Sequence, residues 1–117
     1  MLQSSVEILN LGETRPEPDH YSKPVNLDDD IFTVFSIFKI KKDYHKRLLK
    51  QFEKHIAHTR REDGCILFDL YTVDGTDDTL AAYEHWRNAS ALWDIHSKQP
   101  YTVETDALIK EAVIDHS

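Results

Sequence analysis

Residues 31–40, IFTVFSIFKI, constrain the fold more than any other stretch of the chain. Their β-branched and aromatic side chains mark a strand, with Phe32, Val34, Ser36 and Phe38 on one face and Ile31, Thr33, Phe35 and Ile37 on the other. Both faces are mostly apolar, so the strand is expected to be buried on both sides. A chain of 117 residues buries roughly two-thirds of its unfolded surface, enough for one core and little more. Whatever covers the second face must therefore be sought outside that core.

The rest of the chain supplies cover for one face. After the strand, Tyr44, Leu48, Leu49, Phe52 and Ile56 recur at helical spacing, with Lys46, Arg47, Lys50, Glu53 and Lys54 turned outward and Asp43 placed as N-cap. This helix is expected to stop near Arg61, with Gly64 as the glycine just past its C-terminus. Residues 65–74 (CILFDLYTVD) and 79–87 (TLAAYEHWR) read as two strands of a hairpin around a turn at Asp74-Gly75. Asn88 is placed to cap a short helix through Ser97 with Ala91, Leu92 and Ile95 on its apolar face. Pro100 then breaks the pattern, and Tyr101, Thr105, Leu108 and Ala112 mark a last helix ending near Val113.

This order predicts an α+β sandwich in which an antiparallel sheet carries helices on one face. Two copies pressed together through the other face solve the covering problem, so a homodimer is expected. Residues 1–30 read as an N-terminal extension, with a short strand at 4–11 (SSVEILNL) and a proline-rich connection; residues 31–117 form the domain. The connection is long enough to carry the 4–11 strand to an exposed sheet edge of its own subunit or of a partner.

Charge and composition exclude several partners. Fourteen Lys and Arg against 21 Asp and Glu give a net charge of −7, which argues against nucleic acid and against an anionic membrane surface. No apolar run is long enough to span a bilayer, the N-terminus lacks a signal-peptide core, and one cysteine, Cys65, makes no internal disulfide. The cytosol, a cytoplasmic location, is the expectation. The three glycines form no phosphate-binding loop. His55, His58 and Glu62 have a spacing that a metal site uses, but a solvated helix face explains them better, and Cys65 reads as a small buried hydrophobe.

The chemistry-bearing residues have a recognisable order: Glu62-Asp63-Gly64-Cys65, a strand, Glu84-His85-Trp86, then His96 and Pro100-Tyr101. This pattern, from about Phe32 to Val113, resembles the antibiotic biosynthesis monooxygenase superfamily, whose small members include quinol monooxygenases and a phosphorylated-autoinducer isomerase. The resemblance implies a ferredoxin-like sandwich forming a dimeric α+β barrel, with a pocket in each subunit between sheet and helices. It also implies oxidation of electron-rich phenols or quinols by O₂ with no cofactor, neither metal nor flavin. Typical members end in a further strand, for which residues 114–117 are too short; the 4–11 segment is expected to take its place. One branch degrades haem with a tryptophan, a first-strand asparagine and a last-helix histidine; only Trp86 matches, which argues against that activity.

The candidate catalytic residues are His96, Trp86, Glu84 and Tyr71. Glu84 and Trp86 share a strand face, which in the family looks toward the pocket. Trp86 is either a stacking wall for a flat substrate or simply core. Glu84 either takes the phenolic proton or orients His96, or fixes a helix N-terminus or an arginine. His96 is the candidate base, and Tyr71 offers a hydroxyl to a substrate oxygen. The expected function is oxidation of a small quinol or polyphenol, with that aromatic molecule and O₂ as partners. The alternatives are an isomerase of a small phosphorylated carbonyl compound, with Arg87 and Lys98 as the nearest phosphate-binding cations, and a non-catalytic dimeric ligand-binding module.

Overall fold

A computed structural model describes residues 22–114; the strand expected at 4–11 lies outside the described residues. Strand β1 (Phe32–Lys39) leads through a 3₁₀ turn into helix α1 (His45–Thr59). The hairpin β2 (Cys65–Thr72) and β3 (Thr79–Trp86) follows, turning at Gly75, whose φ of 83° is the left-handed conformation that glycine adopts freely. A π turn (Ala91–Ile95), a 3₁₀ turn (His96–Lys98) and helix α2 (Pro100–Ala112), with proline in its first turn, complete the fold. The sheet order is β1-β3-β2, antiparallel throughout, the three-stranded frame of a ferredoxin-like sandwich.

Registry puts Phe32, Val34, Ser36 and Phe38 in line with Trp86, Glu84, Ala82 and Leu80, and these in turn with Cys65, Phe68, Leu70 and Thr72 on β2. This face packs under α1 and α2, and its core includes Leu48, Phe52, Ile56, Leu70, Leu80, Trp86 and Ala112. The opposite face carries Thr33, Phe35 and Ile37 beside His85, Tyr83 and Ala81, with Leu67, Asp69 and Tyr71 from β2. Phe35 and Ile37 are 61% and 60% exposed while Phe32, Val34, Ser36 and Phe38 are half-buried, so within one chain β1 is covered on one side only. Beyond α2, Val113 bridges Ile40 and the Ile114 amide donates to the Lys39 carbonyl at 2.9 Å. The chain thus begins to pair with the end of β1 where a fourth strand would run.

Several local expectations are corrected. The helix begins after the 3₁₀ turn that contains Asp43, and no side chain caps it. At its other end Gly64 does not have the positive φ of a C-cap; Gly75 alone does among the described glycines. Instead, a Cβ at Gly64 would stand 2.6 Å from Cβ of Ala91, so glycine is there for the close approach of the π turn. The cap comes from Lys23, whose ammonium donates to the carbonyls of Arg60 (2.7 Å), Glu62 (3.1 Å) and Cys65 (2.7 Å). Asn88 caps the π turn as expected, its Oδ1 accepting the Ala91 amide at 2.8 Å. The wide turn swings Ile95 away from Ala91 and Leu92, and it is 53% exposed.

His55 also departs from the surface role its spacing with His58 suggested. It is 4% exposed, between the rings of Phe52, Phe68 and Tyr101, with its Nδ1 3.0 Å from the Thr105 hydroxyl. Burial, helped by the neighbouring His96, pushes its pKa down to about 4. His58 stays exposed and stacks on Tyr101.

Two predictions follow from this packing. Gly64→Ala lowers stability by about 1–3 kcal/mol in urea unfolding, and adding Ala91→Gly recovers part of the loss; simple additivity of the two changes rejects the contact as the cause. For His55, the unfolded chain takes up a proton from pH 6.5 downward while the native state refuses it until about pH 4, so stability falls with pH across that window. Between pH 7 and pH 4 the wild type loses about 3 kcal/mol more than His55→Gln. Equal losses in the two proteins reject the assignment.

Candidate active site

The alternation of β3 sets the site. Glu84 and Trp86, two residues apart, stand on the helix-facing side, and the Trp86 indole N–H donates to Glu84 Oε1 at 2.8 Å. Trp86 is fully buried. Burial pushes the Glu84 carboxyl above its ordinary range, an effect that the indole N–H and His96 oppose and Asp106 reinforces. The Asp106 carboxyl is likewise raised by burial.

His96 reaches this pair because the π turn is pinned at both ends, by Asn88 at its start and by the Ser97 hydroxyl donating back to the Trp93 carbonyl. Its ring is 4% exposed, centred 4.6 Å from the Trp86 ring and 5.1 Å from His55. Nδ1 lies 2.7 Å from Glu62 Oε2, and the Tyr101 hydroxyl donates to the same oxygen at 2.5 Å. Burial and the Glu62 carboxylate raise the Tyr101 phenol well above its ordinary pKa, so it remains a donor. Glu62 Oε1 is buried with no hydrogen-bond partner among the described residues.

A cavity of about 230 Å³ opens between sheet and helices. Phe38, Phe52, Phe68 and Leu92 give it apolar walls, and His55, His96, Glu84, Asp106, Ser36 and Thr102 supply polar groups. Trp93, 59% exposed and edge-on to Phe32 at 6.2 Å, stands at its rim. The structure brings together three of the four candidate residues. His96 and Glu84 line the cavity, and Trp86 lies one layer behind the wall. Tyr71 is on the opposite sheet face, 3.4 Å from Asp69, with its phenol raised by burial, so the cavity of its own subunit is out of its reach.

The cations named for a phosphate are elsewhere. Arg87 is held by Asp29 at 2.8 Å and by the carbonyls of Asp63 and Pro24, and Lys98 is exposed and off the cavity lining. Cys65 is a buried free thiol pushed up to about 12 by desolvation, the inert hydrophobe its surroundings predict. Among the described residues no group of three or more His, Cys, Asp or Glu is placed to hold a metal, and no helix is long and apolar enough to cross a membrane. Sequence reasoning missed Glu62 and Trp93 as site residues. Glu62 stands in the Glu-x-Gly-Cys motif, but its partner His96 is distant in sequence; an exposed tryptophan beside a capped turn is a signal only once the cavity is seen.

Comparison with known proteins agrees with this architecture. Residues 31–106 match the family model of the antibiotic biosynthesis monooxygenases. An uncharacterized protein of Synechocystis sp. is 33% identical over 91 residues, covering 74% of this chain and 61% of that one. Together with an uncharacterized Bacillus subtilis relative, it shows that the chain spans between about half and three-fifths of the length of the curated relatives it matches. Among solved structures, a Mycobacterium tuberculosis protein is 28% identical with a TM-score of 0.67, covering 74% of this chain and 87% of its own. A structure of an antibiotic biosynthesis monooxygenase is 25% identical with a TM-score of 0.65, covering 74% of this chain and 88% of its own. With residues 31–106 matched and the helix-covered antiparallel sheet in place, this chain belongs to the antibiotic biosynthesis monooxygenase family.

Proposed function

We propose that the cavity binds a small, uncharged, hydroxylated aromatic molecule, a quinol or polyphenol, and that the protein oxidises it with O₂. The observation that carries this reading is the meeting of His96 and Glu84 in a cavity otherwise walled by phenylalanine and leucine, with Trp93 at the rim. Flat rings pack against such walls, and the few polar groups orient hydroxyls. His96 takes a phenolic proton, and the electron-rich phenolate reduces O₂. One oxygen atom enters the ring and the other leaves as water with two hydrogens from the substrate. The substrate supplies all four electrons, giving a hydroxyquinone from a quinol. Glu84, its carboxyl pushed up by burial, orients a substrate hydroxyl, and Trp86 holds that carboxyl from behind.

The same lining disfavours a phosphorylated carbonyl substrate. It contains no lysine or arginine, and the raised carboxyls of Glu84 and Asp106 add no positive charge. Arg87 is committed to Asp29 and to the backbone.

The exposed sheet face supports a homodimer. Phe35 and Ile37 stand there beside Tyr83, whose ring meets Phe35 edge-on at 6.3 Å and whose hydroxyl pairs with His85 Nε2 at 2.8 Å. A second copy buries both faces at once.

Oxygen uptake with a panel of dihydroxynaphthalenes and anthrones tests the activity. Uptake well above buffer is expected, falling about 100-fold or more in His96→Ala. Uptake at the buffer rate, or equal in the variant, overturns the reading. For the dimer, sedimentation at micromolar concentration is expected to show two copies in the wild type and one in Phe35→Glu/Ile37→Lys, with helix content kept; a fully dimeric variant rejects this face.

A further inference from the structure

We propose, building on the reading of His96 as a base, that Glu62 is its positioning residue: the carboxylate holds the imidazole as the Nδ1–H tautomer and leaves Nε2 to take the substrate's proton. The geometry is that of a carboxylate–histidine pair. Oε2 of Glu62 lies 2.7 Å from His96 Nδ1, and the two side chains are 11% and 5% exposed. A carboxylate offers acceptors and no proton, so the hydrogen between them sits on Nδ1. Tyr101 donates to the same oxygen from the first turn of α2, which fixes the carboxylate as the carboxylate fixes the ring. Among the described residues the one group within hydrogen-bond range of Nε2 is the Thr102 hydroxyl, at 3.4 Å and equally far from Nδ1, a contact too long to fix a proton there.

The titratable groups facing His96 come from every packed element. His55 approaches from α1, Glu62 from the turn after it, Glu84 from β3, and Tyr101 and Asp106 from α2. Glu62 alone among them makes a close hydrogen bond to the ring. When Nε2 takes a hydroxyl proton from the substrate, the imidazolium charge is met by a carboxylate already in place. The proton later leaves Nε2 for the oxygen released as water. Glu62 neither gains nor loses a proton in the cycle.

The Glu62–His96 pair is tested by one readout that needs activity and one that does not. Imidazole ¹⁵N spectra of the full chain are expected to show His96 as the Nδ1–H tautomer, and Glu62→Met to lose that preference. In oxygen uptake, Glu62→Gln is expected to lower kcat about 10- to 100-fold with little change in KM, and to move the acid limb of the rate–pH profile to lower pH, because the imidazolium loses its counter-charge. Glu62→Asp, which keeps the charge, restores the position of the limb. A purely structural Glu62 lowers the unfolding midpoint and leaves the limb where it was, and that result overturns the proposal, as does an Nε2–H tautomer in the wild type. A wild type that consumes no oxygen overturns the monooxygenase reading, while the tautomer still decides the pairing.

Discussion

The turn from α1 into β2 is the point on which the rest of the structure depends. Within residues 60–65 the helix end, the turn and the new strand leave a row of carbonyls that no ladder satisfies. Two cations from distant parts of the chain meet them. Lys23 takes the carbonyls of Arg60, Glu62 and Cys65, while Arg87 takes that of Asp63 through its guanidinium and that of Gly64 through its amide. Charge-assisted bonds to these carbonyls tie the connection before β1 and the end of β3 to one turn. The bareness of Gly64 then lets Ala91 approach, which brings the π turn, and with it His96, over the Glu62 side chain.

A cavity exists here because the sheet is underfilled at its centre. Ser36 and Ala82 face each other across β1 and β3 between the larger pairs Phe38–Leu80 and Val34–Glu84. Small side chains in the middle of a row of large ones leave room that the helices above do not close. The groups that line this room are pushed toward their uncharged forms, Glu84 and Asp106 upward and His55 downward, all chiefly by burial. A hole with polar atoms and no lysine or arginine in its lining disfavours anions, because an anion would lose its hydration without meeting a cation.

Most of the fold was legible because its elements follow their own periodicities. β1, α1, the hairpin and α2 lie where alternation, helical spacing and turn residues put them. Misreadings occur where a residue's reason lies in another segment. Gly64 has the sequence position of a helix cap, but its role comes from Ala91. His55 and His58 have one spacing and opposite fates, since one faces Phe52 and Phe68 and the other faces solvent. Ile95 follows helical spacing through a turn that is not α-helical. Glu84, Trp86 and His96 were legible as candidates only through the resemblance of their spacing to the family's, whereas Glu62 was masked by the turn it stands in. Tyr71 shows the limit of naming a residue by its hydroxyl alone, because strand parity sends it to the other face.

That parity also ties the open face to the cavity. On β3 the residues alternate: Tyr83 and His85 belong to the exposed face, Glu84 and Trp86 to the site. A strand cannot shift one set without the other, since a slip of one residue exchanges the faces. β3 is the central strand, held on both edges, so the position of Glu84 is fixed by pairing to β1 and β2 before any helix packs on it. A second copy laid over Phe35, Ile37 and Tyr83 would load the same three strands from the opposite side. It would stiffen the floor of a cavity to which it contributes no residue from that face, and the sheet itself would be the link between assembly and site.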